Sequence, residues 1–208
     1  MRIISGTCRG RKLAAIKGMS IRPTADRVRE SIFNIIGQQQ LQGSYVLDLF
    51  AGTGAFGIEC LSRGAASSVF VDIGKASCSV IRQNIELCGF VNQSVVLQHD
   101  AVKFNLTENI ILKQSNITSK QPDIDSKTNR EAQKFNLVFA DPPYERGFVE
   151  KILRNRALLH SLSGESLLII EHSLKEKIPD DLEKLDIHDQ RQYGKTLISF
   201  LNKIVNVV

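Results

Sequence analysis

The pattern of hydrophobic and polar positions along this chain changes near residue 44. From there, short apolar runs of strand length alternate with segments whose apolar residues recur at helical spacing. Alternation of this kind, with strands that are apolar on both faces, predicts an α/β fold built on a mostly parallel, doubly wound sheet. The predicted strands cover residues 45–50, 67–72, 94–100, 135–141, 165–172 and 196–204, and the predicted helices cover 55–64, 75–90 and 147–159.

The N-terminal part of the chain has a different pattern. Residues 2–16 indicate two short strands around a glycine-rich turn, as in a β-hairpin. Residues 22–39 turn helical, with apolar side chains at helical spacing, Thr24 as the candidate N-cap and Gly37 near the end. The sequence therefore predicts two units, which are residues 1–40 and residues 41–208.

Residues 113–133 interrupt the alternation of strands and helices. The segment is polar and has almost nothing to bury, so it is interpreted as a flexible loop. It enters the fourth predicted strand at its N-terminal end, whereas sites in open α/β sheets form at the carboxyl ends of the strands. We therefore expect the loop to lie away from the chemistry.

Composition and charge narrow the possible partners. No apolar run approaches the length of a membrane span and no signal peptide is recognised, so a cytoplasmic protein with no membrane partner is expected. The net charge is +5, and residues 1–40 alone carry +6. An arginine and lysine excess at one end suits a phosphate backbone, and a solvated, solubilising arm is the alternative.

The cysteines and histidines give no sign of a metal centre. Four cysteines are present without a CxxC spacing, and no His, Cys and Asp cluster has the spacing of metal ligands. We expect reduced thiols and no bound metal. The cysteines are Cys8, Cys60, Cys78 and Cys88.

A glycine loop, VLDLFAGTGAFG, ends the first strand and opens the first helix of the alternating region. Gly52, Gly54 and Gly57 fit GxGxxG, and Asp72 ends the next strand, where it can accept hydrogen bonds from ribose hydroxyls. The pattern predicts an adenosine-containing cofactor. Asp48 precedes the loop, where a carboxylate would repel a pyrophosphate but suits the sulfonium and ammonium groups of S-adenosylmethionine.

Two further residues are candidates for the same cofactor. Asp100 ends the third predicted strand and can accept a hydrogen bond from the adenine amine. For each of the aspartates at the strand ends, capping of the following helix is the alternative. Phe50 flanks the glycines. It is included among the candidate cofactor residues. Its expected role, together with Phe56, is to pack against the helix that follows the glycine loop.

The fourth predicted strand runs into DPPY, which places Asp141, Pro142, Pro143 and Tyr144 at the mouth of the sheet. An exocyclic amine of a nucleobase is a poor nucleophile because its lone pair is delocalised into the ring. Asp141 and the Pro142 carbonyl can accept from its N–H groups and fix the nitrogen for methyl transfer, and Tyr144 can stack on a flipped-out base. The alternative is an ordinary turn with a surface tyrosine.

DLFAGTG followed by DPPY resembles the S-adenosylmethionine-dependent amino-methyltransferases. With SGTCRGRKL and RPTADRVRESIFNII before them, nearly the whole chain is similar to the RsmD-type bacterial 16S rRNA guanine-N2 methyltransferase family. The resemblance implies a Rossmann-like class I fold with a seven-stranded sheet, preceded by a hairpin and helix that help to hold RNA. Cys8 departs from the family, because an aromatic residue is expected there.

The resemblance also suggests an RNA-contacting set. Its motif residues on the helix are Arg22, Thr24, Arg27 and Arg29, although the arginines can instead pair with Asp26 and Glu30 on the helix face. The hairpin adds Arg9, Arg11 and Lys12 as candidate phosphate contacts.

The expected function is therefore methyl transfer to a guanine amine of small-subunit rRNA, naked or within a partly assembled subunit. Three rivals stay open: a DNA adenine or cytosine amino-methyltransferase, an RNA-binding assembly factor without catalysis, and an NAD-dependent oxidoreductase supported only by GxGxxG. His172 and Tyr193 lie near the predicted site, and a structural role is expected for each.

Overall fold

The fold follows the predicted alternation of strands and helices. The computed structural model describes residues 1–16, 23–105 and 134–204, with the backbone alone at residues 23–26, so Arg22 and the polar loop at 113–133 lie outside it. The helices are α1 Pro23–Leu41, α2 Ala55–Ser62, α3 Lys75–Cys88, α4 Phe148–Leu153 and α5 Arg156–Ser161. The strands are β1 Tyr45–Leu49, β2 Ser67–Asp72, β3 Ser94–Gln98, β4 Phe135–Ala140, β5 Leu162–Ser173, β6 Leu185–Tyr193 and β7 Thr196–Lys203.

The strands form one seven-stranded sheet in the order β3-β2-β1-β4-β5-β7-β6. The first five strands along this order pair in parallel, and β7 and β6 add antiparallel at one edge. The chain order reverses between β1 and β4, which is the position where open α/β sheets bind ligands. The predicted mostly parallel, seven-stranded fold is confirmed.

Each face of the sheet is covered by its own hydrophobic layer. On one face, the hairpin, α1, α2 and α3 pack against strand residues such as Val46 and Ile169. On the other face, α4 and α5 pack against residues such as Leu47, Val138 and Ile170. Adjacent strand residues point to opposite faces, and both faces are buried, which explains the continuous apolar strands of the sequence.

The N-terminal hairpin is short and is held mainly by other elements. Its strands make one antiparallel bridge, between Arg2 and Lys12. The fully buried carboxylate of Glu59 on α2 accepts the Ile4 N–H at 2.7 Å and the Ser5 N–H at 2.9 Å. Because two strands alone are marginally stable in water, this carboxylate is needed to fix the hairpin on α2.

Three details of the helices differ from the sequence predictions. Helix α1 begins at Pro23, so Thr24 lies in the first turn rather than at the N-cap, and the helix is kinked at Gly37, whose φ is 73°. The predicted helix over 147–159 is two short helices, because Asn155 leaves helical geometry and its side chain caps α5 by accepting the Leu158 N–H at 3.1 Å.

Strand β6 was not predicted from the sequence. It is exposed along most of its length and its residues 188–192 are all polar, so it carries little apolar signal. Its hydrogen bonds to β7 place it in the sheet. Polar side chains on an edge strand are typical, since they discourage pairing with other chains.

Candidate active site

The glycine loop between β1 and α2 turns sharply through left-handed backbone. Phe50, Gly52 and Gly54 have φ values of 56°, 56° and 75°. The Ala51 N–H donates to the Val71 carbonyl at 3.1 Å, and the Gly54 N–H donates to the Ala51 carbonyl at 2.7 Å. Glycine adopts such angles without strain, whereas Phe50 is held there by its neighbours. The loop is therefore a fixed cradle and not a loose connection.

Gly57 is the point where α2 lies closest to the sheet. A Cβ at this position would lie 2.4 Å from Cε1 of Phe70 and 2.5 Å from Oγ of Ser68. Its N–H donates to Oδ2 of Asp48 at 3.0 Å. The third glycine of the motif thus sets the distance between α2 and β2 and ties the helix to β1.

Asp48 is buried beneath the glycine loop, with 1% of its surface exposed. Burial raises the pKa of Asp48 well above its usual range, the Gly57 N–H lowers it, and the charges of Asp141 and Asp72 raise it again. Leu49 lies opposite Val71 of β2 and Ala140 of β4, so the structure brings Asp48, Asp72 and Asp141 to the same end of three neighbouring strands. Their mutual repulsion would be relieved by a bound cation.

Asp72 organises the backbone on both sides of the cofactor loop. Its Oδ2 accepts the Gly52 N–H at 2.8 Å and its Oδ1 accepts the Gly74 N–H at 2.7 Å. Each oxygen keeps a second lone pair for a ligand hydroxyl. The next residue, Ile73, has 70% of its surface exposed. Ile73 was not predicted as a site residue, although the sequence shows an apolar residue directly after the aspartate that ends the strand.

Asp100 follows β3 beside the end of β2, where the N–H of the preceding residue, His99, donates to the Asp72 carbonyl at 3.0 Å. Oδ1 of Asp100 accepts the Val102 N–H at 3.1 Å and caps a short 3₁₀-helix, Ala101–Lys103, while its Oδ2 lies 3.8 Å from Nζ of Lys103. This contact is the capping alternative given for Asp100 above, and the contact of Asp100 with the adenine amine stays a prediction. Phe50 packs its ring 5.7 Å from that of Phe148, and Phe56 stacks on Phe139 at 4.0 Å, as expected for packing residues.

The DPPY segment follows β4 at the same edge of the sheet. Asp141 and Pro143 are exposed, Pro142 is buried and Tyr144 is half-buried. The Tyr144 hydroxyl donates to Oε1 of Glu171 on β5 at 2.5 Å and lies 3.1 Å from Oγ1 of Thr196 on β7. Burial and the bond to Glu171 raise the pKa of Tyr144. The phenol is therefore protonated at neutral pH, and its ring is held between two strands.

A buried amide joins the hairpin to the glycine loop. Asn84 on α3 is fully buried, and its Oδ1 accepts the Ala14 N–H at 2.7 Å. Its Nδ2 donates to the Ala14 carbonyl at 3.2 Å and to the Thr53 carbonyl at 2.9 Å. The other end of the hairpin also reaches this loop, since Oγ1 of Thr53 lies 3.5 Å from Sδ of Met1.

The basic residues separate into surface and structural ones. Arg9, Lys12 and Arg27 are exposed, as an RNA contact requires. Arg11 is exposed as well, but its Nη1 donates to the Leu87 carbonyl at the end of α3. Arg29 is 6% exposed and its Nη2 donates to the Arg2 carbonyl at 2.6 Å.

The prediction that Arg29 contacts RNA is therefore corrected: its guanidinium fixes the hairpin against α1. Thr24 has no described side chain, and Arg22 lies outside the described residues. Of the five predicted RNA contacts whose side chains the structure describes, four are exposed, namely Arg9, Arg11, Lys12 and Arg27.

His172, Tyr193 and Cys8 have structural contacts. Nε2 of the buried His172 lies 2.8 Å from Oγ of Ser199, which joins β5 to β7. The Tyr193 hydroxyl contacts Oγ of Ser31 and joins β6 to α1. Cys8 is buried, and all four cysteines are free. The burial of Cys8 leaves no surface for a stacking role at that position.

Among the described residues, no group of three or more His, Cys, Asp and Glu side chains is arranged to hold a metal ion. Within the same residues, no helix is long and apolar enough to cross a membrane.

Comparison with known proteins identifies the family. The sequence model of the family described as Conserved hypothetical protein 95 matches residues 1–110 and 104–202. The chain belongs to this family. YlbH of Bacillus subtilis is 31% identical over 98% of this chain and 99% of its own length. The ribosomal RNA small subunit methyltransferase D of Escherichia coli is 29% identical over 94% of this chain and 86% of its own. The RsmD-type resemblance is thus confirmed.

Solved structures agree with the fold. The structure of yhhF from Escherichia coli has a TM-score of 0.72 and 27% identity, and covers 98% of this chain and 97% of its own. A 16S rRNA guanine-N2 methyltransferase of T. thermophilus (RsmC), in complex with AdoMet and guanosine, has a TM-score of 0.64 at 17% identity. It covers 91% of this chain and 45% of its own. The class I methyltransferase fold that the family resemblance predicted for this chain is confirmed.

Proposed function

We propose that this protein transfers a methyl group from S-adenosylmethionine to the exocyclic N2 amine of a guanine in small-subunit ribosomal RNA. The observation that carries the proposal is the meeting of two motifs at one sheet edge: β1 pairs in parallel with β4, with Leu49 opposite Ala140, so the glycine loop and the DPPY segment leave neighbouring strands at the same end. The names of the Escherichia coli relative and of the T. thermophilus neighbour support the substrate and the amine.

The residues of the glycine loop fit this cofactor. The carboxyl groups of Asp48 and Asp72 suit a sulfonium and an ammonium and oppose a pyrophosphate, and a bound cation would favour the ionised form of the buried Asp48. A Cβ on Gly52 would meet only the Phe50 carbonyl, at 3.9 Å, so the front of the loop is open to a ligand. The exposed Ile73 offers an apolar surface for an adenine ring beside the ribose acceptor Asp72. When bound, the cofactor supplies an electrophilic methyl group, which the amine lone pair takes in line as the bond to sulfur breaks.

Asp141 and Pro142 would hold the target amine. A proline has no N–H, so the carbonyl of Pro142 and the carboxylate of Asp141 present only acceptors to the N–H groups of the base. Two acceptors fix the amine plane and offset the positive charge that develops on nitrogen. The amine then loses one proton, which we assign to solvent because Asp141 is exposed.

Tyr144 would hold the flipped base by stacking. Its hydroxyl is tied to Glu171 and Thr196, so the ring stands in one orientation at the mouth of the sheet. A base–aromatic contact of this kind contributes about 1–3 kcal/mol. A preoriented ring saves the cost of ordering it when the base arrives.

The test is Asp141→Ala, assayed with labelled S-adenosylmethionine and small ribosomal subunits from cells that lack this gene. We expect kcat to fall by roughly 10²–10³-fold, as for the loss of one fixed transition-state contact, with cofactor affinity nearly unchanged. Asp181→Ala is the matched control, because it removes an exposed carboxylate that pairs with Arg154. Near-normal turnover by Asp141→Ala would refute the assigned role.

The same assay separates the rival functions. Label recovered as N2-methylguanosine in rRNA supports the proposal, whereas label only in parallel DNA samples would favour a DNA amino-methyltransferase. Cofactor binding without label in any nucleic acid would favour an assembly factor. Tighter binding of NAD than of S-adenosylmethionine would favour an oxidoreductase. Free 16S rRNA as a further sample tells whether a partly assembled subunit is required. Cytoplasmic location stays a prediction.

A further inference from the structure

A cleft of about 590 Å³ opens where the hairpin meets α1, on the surface of the N-terminal unit. Its walls carry three arginines and one carboxylate, namely Arg2 and Arg9 from the hairpin and Arg27 and Glu30 from α1. A volume of this size lies within the range of small-molecule sites and is ample for one nucleotide. None of these residues belongs to the glycine loop or to DPPY.

The cleft is built on fixed backbone. The Arg2 carbonyl accepts from the buried Arg29 at 2.6 Å, which holds the hairpin wall against the helix wall. At the base, the Ile4 N–H donates to Glu59 and the Gly10 N–H donates to the Ile3 carbonyl at 2.8 Å. The four charged side chains therefore stand on a preformed frame, as a specific site requires and a mobile arm does not offer.

The charged groups of the cleft are available to a ligand. Arg2, Arg9, Arg27 and Glu30 are all exposed. Within the described residues, no ion pair joins Glu30 to Arg27 one turn away or to the two hairpin arginines. The net charge of +2 suits a phosphodiester, and guanidinium groups bind phosphate oxygens in pairs. A phosphate alone would leave the Glu30 carboxylate facing an anion, so the ligand must also donate hydrogen bonds.

A guanine nucleotide supplies both features. Guanine presents two parallel donors, N1–H and the N2 amine, which match the two oxygens of a carboxylate. Adenine and cytosine offer one amine without an adjacent ring N–H, and uracil offers one N–H alone. Carboxylates read amino groups of bases in this way, and single-stranded RNA exposes the required edge.

We propose that this cleft binds an unpaired guanosine that flanks the target nucleotide, with Glu30 on its Watson–Crick edge and the arginines on its phosphates. The inference rests on the proposed function, since it assigns a second reading site on the same RNA. Its position is suitable, because Met1, next to Arg2, contacts Thr53 of the glycine loop. A strand lying in the cleft can thus continue to the reaction edge of the sheet.

The test is equilibrium binding of fluorescein-labelled RNAs UUUXUUU, in which X is guanosine, inosine, adenosine, cytidine or uridine. The full-length protein should prefer guanosine to inosine, which lacks only the 2-amino group, on the order of tenfold. Glu30→Gln should abolish that preference, because its amide opposes one of the two donors. Arg27→Ala should weaken all the RNAs by a similar factor, as loss of a phosphate contact does.

Two controls separate this cleft from the catalytic pocket, which also takes guanine. Glu165→Gln neutralises another exposed glutamate and should leave the preference intact. Asp141→Ala should keep the preference if the cleft is its source. Equal affinity of the native protein for guanosine and inosine, or a preference that survives Glu30→Gln and disappears with Asp141→Ala, would overturn the inference. Methyl transfer itself is measured separately, so a failure of the proposed function would be visible as binding without label.

Discussion

Gly57→Ala is the sharpest test of how α2 supports the cofactor loop. The added Cβ would lie 2.4 Å from Cε1 of Phe70 and 2.5 Å from Oγ of Ser68. Carbon atoms in contact normally lie about 3.5–4.0 Å apart, so the helix must move by about 1 Å or more. Phe70 and Ser68 are both fully buried and cannot withdraw. The displacement therefore falls on α2 and on the loop at its N-terminus.

The change in the free energy of unfolding of Gly57→Ala is the sum of two opposing effects. Overpacking a core costs about 1–3 kcal/mol. Alanine in place of glycine inside a helix gains about 1 kcal/mol. Because two immobile groups oppose the Cβ, we expect a net loss of about 1–2 kcal/mol in the free energy of unfolding. Activity should suffer more, because a misplacement of about 1 Å can cost roughly 10²-fold in rate.

Urea denaturation gives the stability change, and titration calorimetry with S-adenosylmethionine gives the affinity. Gly89→Ala is the matched control: its φ is 76°, so alanine is strained, but a Cβ there meets nothing within 4 Å. Gly89 caps the C-terminal end of α3, at the edge opposite the cofactor loop. Gly89→Ala should therefore lose about 1–2 kcal/mol of stability without losing affinity for S-adenosylmethionine. Native affinity in Gly57→Ala, or an equal loss of affinity in both variants, would refute the reasoning.

Three further predictions follow from single side chains. Tyr144→Phe removes the hydroxyl bonded to Glu171, and should lower the free energy of unfolding by about 1–3 kcal/mol and kcat more than cofactor affinity; unchanged melting and kinetics would contradict this. The pKa of Asp48 is higher in the folded state than in the unfolded state, so the native protein loses stability as the pH rises between these two values. Thermal melts without cofactor should therefore show Asp48→Asn gaining stability relative to the native protein as the pH rises. A difference in stability that does not change with pH would contradict this prediction. Glu59→Ala strips a buried partner from Arg63 and from the hairpin amides, and should cost about 3–5 kcal/mol and speed hydrogen exchange in the hairpin; slow exchange there would argue against the anchor.

Much of the candidate site was predictable because parallel strands end at one edge. Asp48, Asp72 and Asp141 stand just before, at and just after the end of an apolar strand, and the parallel arrangement of the strands brings the three ends together. The glycine spacing predicted the sharp loop in the same way. Local sequence was sufficient wherever one strand end and one loop define the contact.

Contacts between distant segments were not predictable. Arg29 looked like an RNA ligand because its partner, the Arg2 carbonyl, is a backbone group with no residue signature. Glu59 lies in an apolar helix as an apparent surface charge, yet its partners are amides 55 and 54 residues away. Glu171, the hydroxyl partner of Tyr144, likewise depends on the pairing of strands that sequence patterns do not specify.

The anchoring of the hairpin by Glu59 has a consequence for synthesis of the chain. Ile4 and Ser5 leave the ribosome before the Glu59 carboxylate that accepts from their N–H groups, which follows 55 and 54 residues later. At 5–20 residues per second the hairpin waits about 3–11 s for its anchor. The arginine-rich N-terminal segment therefore lacks this anchor during that time. The cleft between the hairpin and α1 can become fixed only once β1 and α2 have formed, so the cleft and the glycine loop are completed together.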